Sequence, residues 1–171
     1  GGIGAEAARH CAHFGMNVIA VDARREDVPE GVTTMVRPDK LDQMLPEADF
    51  VIMTIPHTPE TEGLMNADKF KLMKESAFLI NIGRGMTVKL DDLVDALRKG
   101  EIRGAGLDVY EQEPLRSDHP LWAMPNVLLT PHVAAYGPYL EERRTEVLMD
   151  NARRFANGEE LRNLVDKANW F

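Results

Sequence analysis

Short apolar stretches alternate with longer stretches of helical periodicity along most of this chain. In the clearest of them, DFVIMTIP at 49–56, nearly every position is apolar. Continuous apolar runs of this kind are typical of strands buried on both faces, as in a parallel sheet covered by helices. The pattern predicts strands over residues 16–22, 31–36, 49–56, 76–83, 102–110 and 126–132.

The helical stretches carry signals for their ends. Leu90, Leu93, Val94 and Leu97 form one apolar stripe at helical spacing. Pro138 stands near the start of the last helical stretch, where proline is favoured. Each predicted helix is followed by a glycine, a common stop signal. The predicted helices are 5–14, 89–99 and 139–157, followed by Gly15, Gly100 and Gly158.

Strands that alternate with helices predict right-handed βαβ units and an α/β fold with a doubly wound parallel sheet. In such sheets, ligands bind at the carboxyl ends of the strands. The residues at those ends are therefore the candidates for function. They are Asp22, Pro56, Gly83 to Gly85, Asp108 and His132.

Composition narrows the class of protein. The formal net charge of −8 and the lack of a basic stripe argue against a nucleic-acid partner. No apolar run reaches membrane-spanning length, and the single cysteine, Cys11, fits a reducing compartment. We expect a protein of the cytoplasm without a membrane partner. His10 and His13 lie three apart on a predicted helix, but we expect a solvent-facing pair and no metal site.

The first residues, GGIGAEAARH, contain a glycine pair ahead of a helix. The pair matches the last two glycines of the dinucleotide fingerprint G-x-G-x-x-G, although a flexible terminus gives the same letters. Asp22 closes the next strand eighteen positions after Gly4 (22 − 4), near the spacing for an acid that binds the ribose hydroxyls of NAD. A carboxylate there repels the 2′-phosphate of NADP, so NAD is favoured. Arg24 and Arg25 follow directly and keep NADP open as the less favoured cofactor.

Three strand ends carry reactive side chains. Arg84 stands between glycines that would let a ligand approach the backbone, and its planar fork matches a carboxylate. Taken alone, it could equally be a surface arginine in a glycine-rich turn. His132 follows the last strand, and Glu113 is the candidate to orient it as a general acid/base. Together these groups suggest interconversion of a 2-hydroxy acid and a 2-oxo acid by hydride transfer.

The sequence resembles the D-isomer-specific 2-hydroxyacid dehydrogenase family in its NAD-binding Rossmann domain. The motifs that carry the resemblance are G-x-x-G with Asp22, PHTPETEGLMN, NIGRG, GAGLDVYEQEPL and PNVLLTPHVAAY. The resemblance implies that Arg84, Glu113 and His132 are catalytic, that Asp108 contacts the nicotinamide carboxamide, and that Pro56 and Thr61 border the adenosine. The cofactor-binding residues are then Gly1, Gly2, Ile3, Gly4, Asp22, Ala23, Arg24, Ile55, Pro56, Thr61, Ile82, Gly83, Arg84, Asp108, His132 and Ala134.

The resemblance also implies an organisation. Residues 1–137 are expected to form a partial NAD-binding domain that starts within the fingerprint, and residues 138–171 a helix and return segment towards a substrate domain. The first strand and most of the substrate domain are then expected to lie outside this sequence, in a longer protein. A homodimer is implied. Two alternatives stay open: a non-catalytic NAD-binding regulatory module, as in corepressors of this family, and a different Rossmann protein.

Overall fold

A computed structural model describes residues 1–167 of the chain. The predicted return segment runs past that point, so its residues 168–171 lie outside the described part. The helices are α1 Gly2–His13, α2 Leu41–Met44, α3 Ala67–Leu72, α4 Leu90–Lys99 and α5 Leu140–Ala156. The strands are β1 Ile19–Val21, β2 Thr34–Val36, β3 Phe50–Met53, β4 Phe78–Asn81, β5 Gly104–Leu107 and β6 Val127–Leu129.

Every predicted strand region contains a strand, and the strands pair in parallel. β1 pairs with β2, and β3, β4, β5 and β6 form a second sheet in that order. The predicted α/β fold with parallel strands is confirmed, but the described strands form two sheets rather than one. β3 is an edge strand of the larger sheet, and its Phe50 and Ile52 are exposed at 49% and 39%.

The main hydrophobic core lies between the larger sheet and the helices α3 and α4. The apolar stripe predicted for α4 is buried in full, since Leu90, Leu93, Val94 and Leu97 are all at most 7% exposed. They belong to the same buried cluster as Phe70 of α3 and the sheet residues Leu79 and Leu107. This packing holds the strands that end at the candidate site.

One predicted helix begins three residues earlier than expected, and two short helices, α2 and α3, were not predicted. Helix α1 begins at Gly2 rather than at residue 5, because the amide of Ala5 already donates to the carbonyl of Gly1 at 3.0 Å. Glycine destabilises the interior of a helix, but Gly2 and Gly4 lie in the first turn, outside the interior. Helix α3 begins after Asn66, whose side chain accepts hydrogen bonds from the amides of Asp68 and Lys69. Helix α2 is a single turn that sequence periodicity cannot reveal.

The chain divides into two compact units, Gly1–Pro131 and His132–Phe171. In the second unit, Asn151 on α5 exchanges hydrogen bonds with the backbone of Arg162 at 3.0 and 2.8 Å. Asp150 pairs with three arginines in the same unit, and their hydrogen bonds hold the pKa of its carboxyl well below the usual range. These contacts fasten the segment after α5 to that helix. None of the helices among residues 1–167 combines the length and the apolar character needed to cross a membrane.

Candidate functional site

The strands of the larger sheet end at one edge, and the loops that follow them touch one another. A Cβ placed on Gly83, after β4, would lie 2.7 Å from the carbonyl oxygen of Ile55, after β3. A Cβ on Gly85 would overlap the carbonyl group of Tyr110, which follows β5. The loop that carries Arg84 therefore packs on both sides against neighbouring loops. At both glycines the protein's own backbone occupies the space that a Cβ would need, and the approach of a ligand to this loop stays a prediction.

Asp108 and Thr130 join the ends of β5 and β6. Thr130 donates its hydroxyl hydrogen to Asp108 Oδ1 at 2.6 Å, and the Asp108 side chain is nearly buried. The hydroxyl of Tyr110 donates to the carbonyl of Thr130 at 2.8 Å. Burial and then the charge of Asp108 raise the pKa of the Tyr110 hydroxyl, so it stays protonated and able to donate. Sequence reasoning found Asp108 but missed Tyr110 and Thr130, whose contacts depend on tertiary structure.

Arg84 is exposed at the carboxyl end of β4, although the residues around it are buried. Its Nη1 donates to the carbonyl of Gly83 at 2.7 Å. Asn81 and Thr87, both 0% exposed, hydrogen-bond to the backbone carbonyl of Arg84. Neither was singled out from the sequence, where an asparagine and a threonine near a glycine turn are unremarkable letters. The arrangement presents one guanidinium to solvent on a fixed loop.

The two glutamates of the sequence EQE make different contacts. Glu111 accepts a hydrogen bond from the amide of Leu90, the first residue of α4, at 2.7 Å. It also lies 3.6 Å from the ammonium group of Lys89. Glu113 is exposed, and its Oε1 accepts a hydrogen bond from the Tyr110 amide at 3.1 Å. Glu111 therefore caps a helix, whereas Glu113 lies on the loop beside the strand ends.

Asp22 ends β1 and binds the turn that follows it. Its Oδ1 accepts hydrogen bonds from the amides of Arg24 and Arg25 at 2.8 and 2.9 Å. Partial burial acts to raise the pKa of Asp22, but the hydrogen bonds from the Arg25 and Arg24 amides and the nearby amino group of Gly1 lower it, and the pKa lies below its ordinary value. The carboxylate is thus ionised at neutral pH. Ala23 is fixed as well, because Arg37 donates to its carbonyl at 2.8 Å.

The first turn of α1 lies beside the end of β3. A Cβ on Gly4 would lie 2.9 Å from the hydroxyl oxygen of Thr54, whereas Cβ atoms on Gly1 and Gly2 would meet no atom of the described residues within 4 Å. Ile3 is 64% exposed. The helix has neither an acidic residue in its first turn nor a side-chain cap. Amides in such a turn can bind an anion.

The loop after β3 is held by its own threonines. Thr61 donates to the carbonyl of Pro56 at 2.7 Å and accepts from the amide of Thr58 at 2.8 Å. Ile82 extends the strand pairing of this region, since its amide donates to the carbonyl of Met53 at 3.2 Å. The hydroxyl of Thr61 is therefore engaged within its own loop.

The first unit brings together the predicted residues at the ends of β3, β4 and β5, with the first turn of α1 beside them. His132 and Ala134 belong to the second unit, and both are exposed. His132 has a left-handed backbone conformation, with φ 56°. Among residues 1–167, no group of three or more His, Cys, Asp or Glu side chains is arranged to hold a metal ion.

Comparisons with known proteins agree with this architecture. A family model described as "D-isomer specific 2-hydroxyacid dehydrogenase, NAD binding domain" matches residues 1–134. A glyoxylate/hydroxypyruvate reductase B from Escherichia fergusonii is 42% identical over 156 residues, which are 91% of this chain and 48% of that protein. The chain spans about half the length of the curated relatives it matches.

Two solved structures are similar over the whole chain. One is an NADPH-dependent glyoxylate/hydroxypyruvate reductase from Sinorhizobium meliloti in complex with NADP and sulfate. It is 35% identical, with a TM-score of 0.91, and the match covers 100% of this chain and 54% of that one. The other is a D-isomer-specific 2-hydroxyacid dehydrogenase from Xanthobacter autotrophicus in complex with NADPH and MES. It is 38% identical, with a TM-score of 0.90, and the match covers 100% of this chain and 69% of that one.

Proposed function

This chain belongs to the D-isomer-specific 2-hydroxyacid dehydrogenase family, in its NAD-binding domain, and we propose that the natural protein containing it interconverts a small 2-hydroxy acid and its 2-oxo acid. The substrates that we propose are glyoxylate and hydroxypyruvate, because similar proteins bear those names. The observation that carries the proposal is the placement of Arg84. Its guanidinium is exposed on a loop at the carboxyl end of β4 that packs on both sides against neighbouring loops.

Arg84 is proposed to bind the substrate carboxylate. A guanidinium offers two parallel N–H donors that match the two oxygens of a carboxylate, and its charge polarises an adjacent carbonyl group. The loop is fixed by contacts on both sides, so the guanidinium presents its donors from a defined position. Binding geometry of that kind lowers the entropy lost when reactants meet.

His132 is proposed as the general acid/base and Glu113 as the carboxylate that orients it, on the resemblance to the family. Histidine changes its charge near neutral pH, which suits transfer of a proton to and from the substrate oxygen. The contact between the Tyr110 amide and Glu113 Oε1 fixes that carboxylate within the first unit. A nicotinamide cofactor, when bound, supplies or accepts the hydride.

The residues of the first unit fit such a cofactor. The first turn of α1 offers amides without side-chain caps, and Gly1 and Gly2 add no bulk above them. That environment suits a diphosphate. Asp22, ionised and fixed by two amides, suits the ribose hydroxyls, and Asp108 at the end of β5 suits the carboxamide. The proposed set in the first unit is completed by Ile3, Gly4, Ala23, Arg24, Ile55, Pro56, Thr61, Ile82, Gly83 and Arg84.

NAD(H) is the cofactor that we propose over NADP(H). The ionised Asp22 would repel the 2′-phosphate that distinguishes NADP. Two solved relatives are in complex with NADPH or NADP, and Arg24 and Arg25 follow Asp22 directly. The cofactor preference is therefore the first property to measure. A homodimer is proposed from the resemblance, and a location in the cytoplasm is proposed from the single cysteine.

The test is an assay of the natural protein with a panel of 2-oxo acids and both reduced cofactors. We expect faster oxidation of NADH than of NADPH, and activity with glyoxylate and hydroxypyruvate above that with bulkier 2-oxo acids. A preference for NADPH would overturn the assignment of Asp22. Tight NADH binding without turnover on any 2-oxo acid would favour a non-catalytic regulatory module, which the reductase names of the relatives do not support.

A further inference from the structure

We infer that Asn81 and Thr87 are positioning residues that hold Arg84 in its substrate-binding orientation. The inference deepens the proposed function and rests on it, since it assigns the two residues to the binding of the 2-oxo acid. Both side chains are polar and 0% exposed, and they lie on either side of Arg84 in the chain.

The hydrogen bonds of the two residues converge on one backbone group. The carbonyl oxygen of Arg84 accepts from Asn81 Nδ2 at 3.1 Å, from Thr87 Oγ1 at 2.6 Å and from the Thr87 amide at 3.2 Å. Asn81 Oδ1 also accepts from the amide of Gly83 at 3.0 Å. The peptide groups Ile82–Gly83 and Arg84–Gly85 are therefore both fixed.

Burial of two polar side chains costs free energy, and here the hydrogen bonds of those side chains hold the loop in one conformation. A buried amide or hydroxyl group is destabilising until its hydrogen bonds are satisfied, whereas an apolar residue would carry no such cost. Here the buried groups bind the backbone around Arg84, an exposed residue of the loop. The backbone sets the direction of the Cα–Cβ bond and limits the rotamers of a side chain, so Asn81 and Thr87 restrict where the guanidinium can point.

The inference predicts a specific effect on substrate binding. Without one of the three hydrogen bonds, the Arg84 carbonyl can rotate and the guanidinium moves from its place. A displacement of about 1 Å at a binding group can lower the rate up to about 100-fold. The KM for the 2-oxo acid should rise, whereas the dissociation constant of NADH should change much less.

The test compares Thr87→Val with Thr87→Ser in the natural protein. Valine matches threonine in shape but lacks the hydroxyl, and serine keeps it. We expect Thr87→Val to lower kcat/KM for the 2-oxo acid by about 10- to 100-fold, and Thr87→Ser to stay near wild type. Asn81→Ala should change kcat/KM in the same direction as Thr87→Val. In the Arg84→Ala background, Thr87→Val should have no further effect on kcat/KM.

Asn66→Ala is the matched control. Asn66 caps α3 and lies outside the Arg84 loop, so its loss should lower the thermal stability and leave KM unchanged. If Thr87→Val lowers stability as Asn66→Ala does and also leaves KM unchanged, the two residues are only structural and the inference is overturned. Equal losses in Thr87→Ser and Thr87→Val would overturn it too.

A second readout separates this inference from the proposed function. Calorimetric binding of oxamate, an unreactive mimic of a 2-oxo acid, to the protein with NADH needs no turnover. If wild type reduces no 2-oxo acid but binds oxamate, and Thr87→Val weakens that binding, the positioning role stands and the proposed reaction fails. If oxamate binds wild type and Thr87→Val equally, the positioning role fails.

Discussion

Glu111 and Glu113 are two residues apart in one acidic motif, yet only Glu111 binds the backbone at the start of α4. Glu111 accepts the hydrogen bond of the Leu90 amide at the start of that helix, and Lys89 balances its charge. Glu113 accepts from the Tyr110 amide and is exposed. The letters EQE cannot distinguish these roles, because the Leu90 amide reaches Glu111 only through the tertiary fold.

The two glutamates give a prediction at this scale. Glu111→Ala should lower the free energy of unfolding by about 1.5 kcal/mol, since a hydrogen bond to a charged group is lost at a helix start. Glu113→Gln should leave stability near wild type but lower kcat by at least about 100-fold, because the proposed partner of the general acid/base loses its charge. Chemical denaturation and steady-state kinetics on both variants check this.

Each variant is the control for the other. A loss of kcat in Glu111→Ala at full folding would contradict its assignment as a helix cap. Full activity in Glu113→Gln would remove that residue from the proposed acid/base pair.

At the scale of elements, the loop between β4 and α4 depends on close backbone packing. A Cβ on Gly85 would overlap the carbonyl group of Tyr110, so Gly85→Ala forces two loops apart. We expect the free energy of unfolding to fall by about 3 kcal/mol, in the range found for overpacked cores. Thermal and denaturant unfolding of the variant measure the change.

Gly106→Ala is the control, since a Cβ there would meet only Ile80 Cγ1 at 3.9 Å, an ordinary contact. Gly106 lies inside β5, in the same sheet. The free energy of unfolding of this variant should stay the same or rise by about 0.5 kcal/mol. Equal losses at the two positions would contradict the packing described for Gly85.

The strands and the long helices could be predicted because their signals are local. The apolar stripe of α4 and the glycines that follow the helices can be recognised from residues close together in the sequence. Helix α5 agrees with its prediction to within one residue at each end. Helix α2 has four residues, too few for a period. The division of the strands into two sheets depends on pairing between distant segments, which periodicity does not encode.

The candidate site could be predicted only in part. Strand ends in a parallel sheet meet at one edge, and that rule places the loops of Arg84 and Asp108 together from the sequence alone. The residues that support them could not be found, because Asn81, Thr87 and Tyr110 act through backbone groups brought close by folding. The close approach of backbone at Gly83 and Gly85 was hidden for the same reason.

At the scale of the whole molecule, the first unit carries most of the proposed cofactor-binding residues and the proposed substrate arginine. His132 lies in the second unit, and the chain spans about half the length of its curated relatives. The proposed reaction therefore belongs to the natural protein, in which the roles of Arg84, Glu113 and His132 can be measured together. The central claim is that Arg84 binds the carboxylate of a 2-oxo acid.

The most direct test of that claim is the kinetics of Arg84→Lys in the natural protein, with the dissociation constant of NADH measured beside it. Lysine keeps the positive charge but loses the planar fork that binds two carboxylate oxygens. We predict that kcat/KM for the 2-oxo acid falls by about 100-fold, since substrate positioning is lost, while the dissociation constant of NADH changes much less. An unchanged kcat/KM, or a loss confined to NADH binding, would contradict the account.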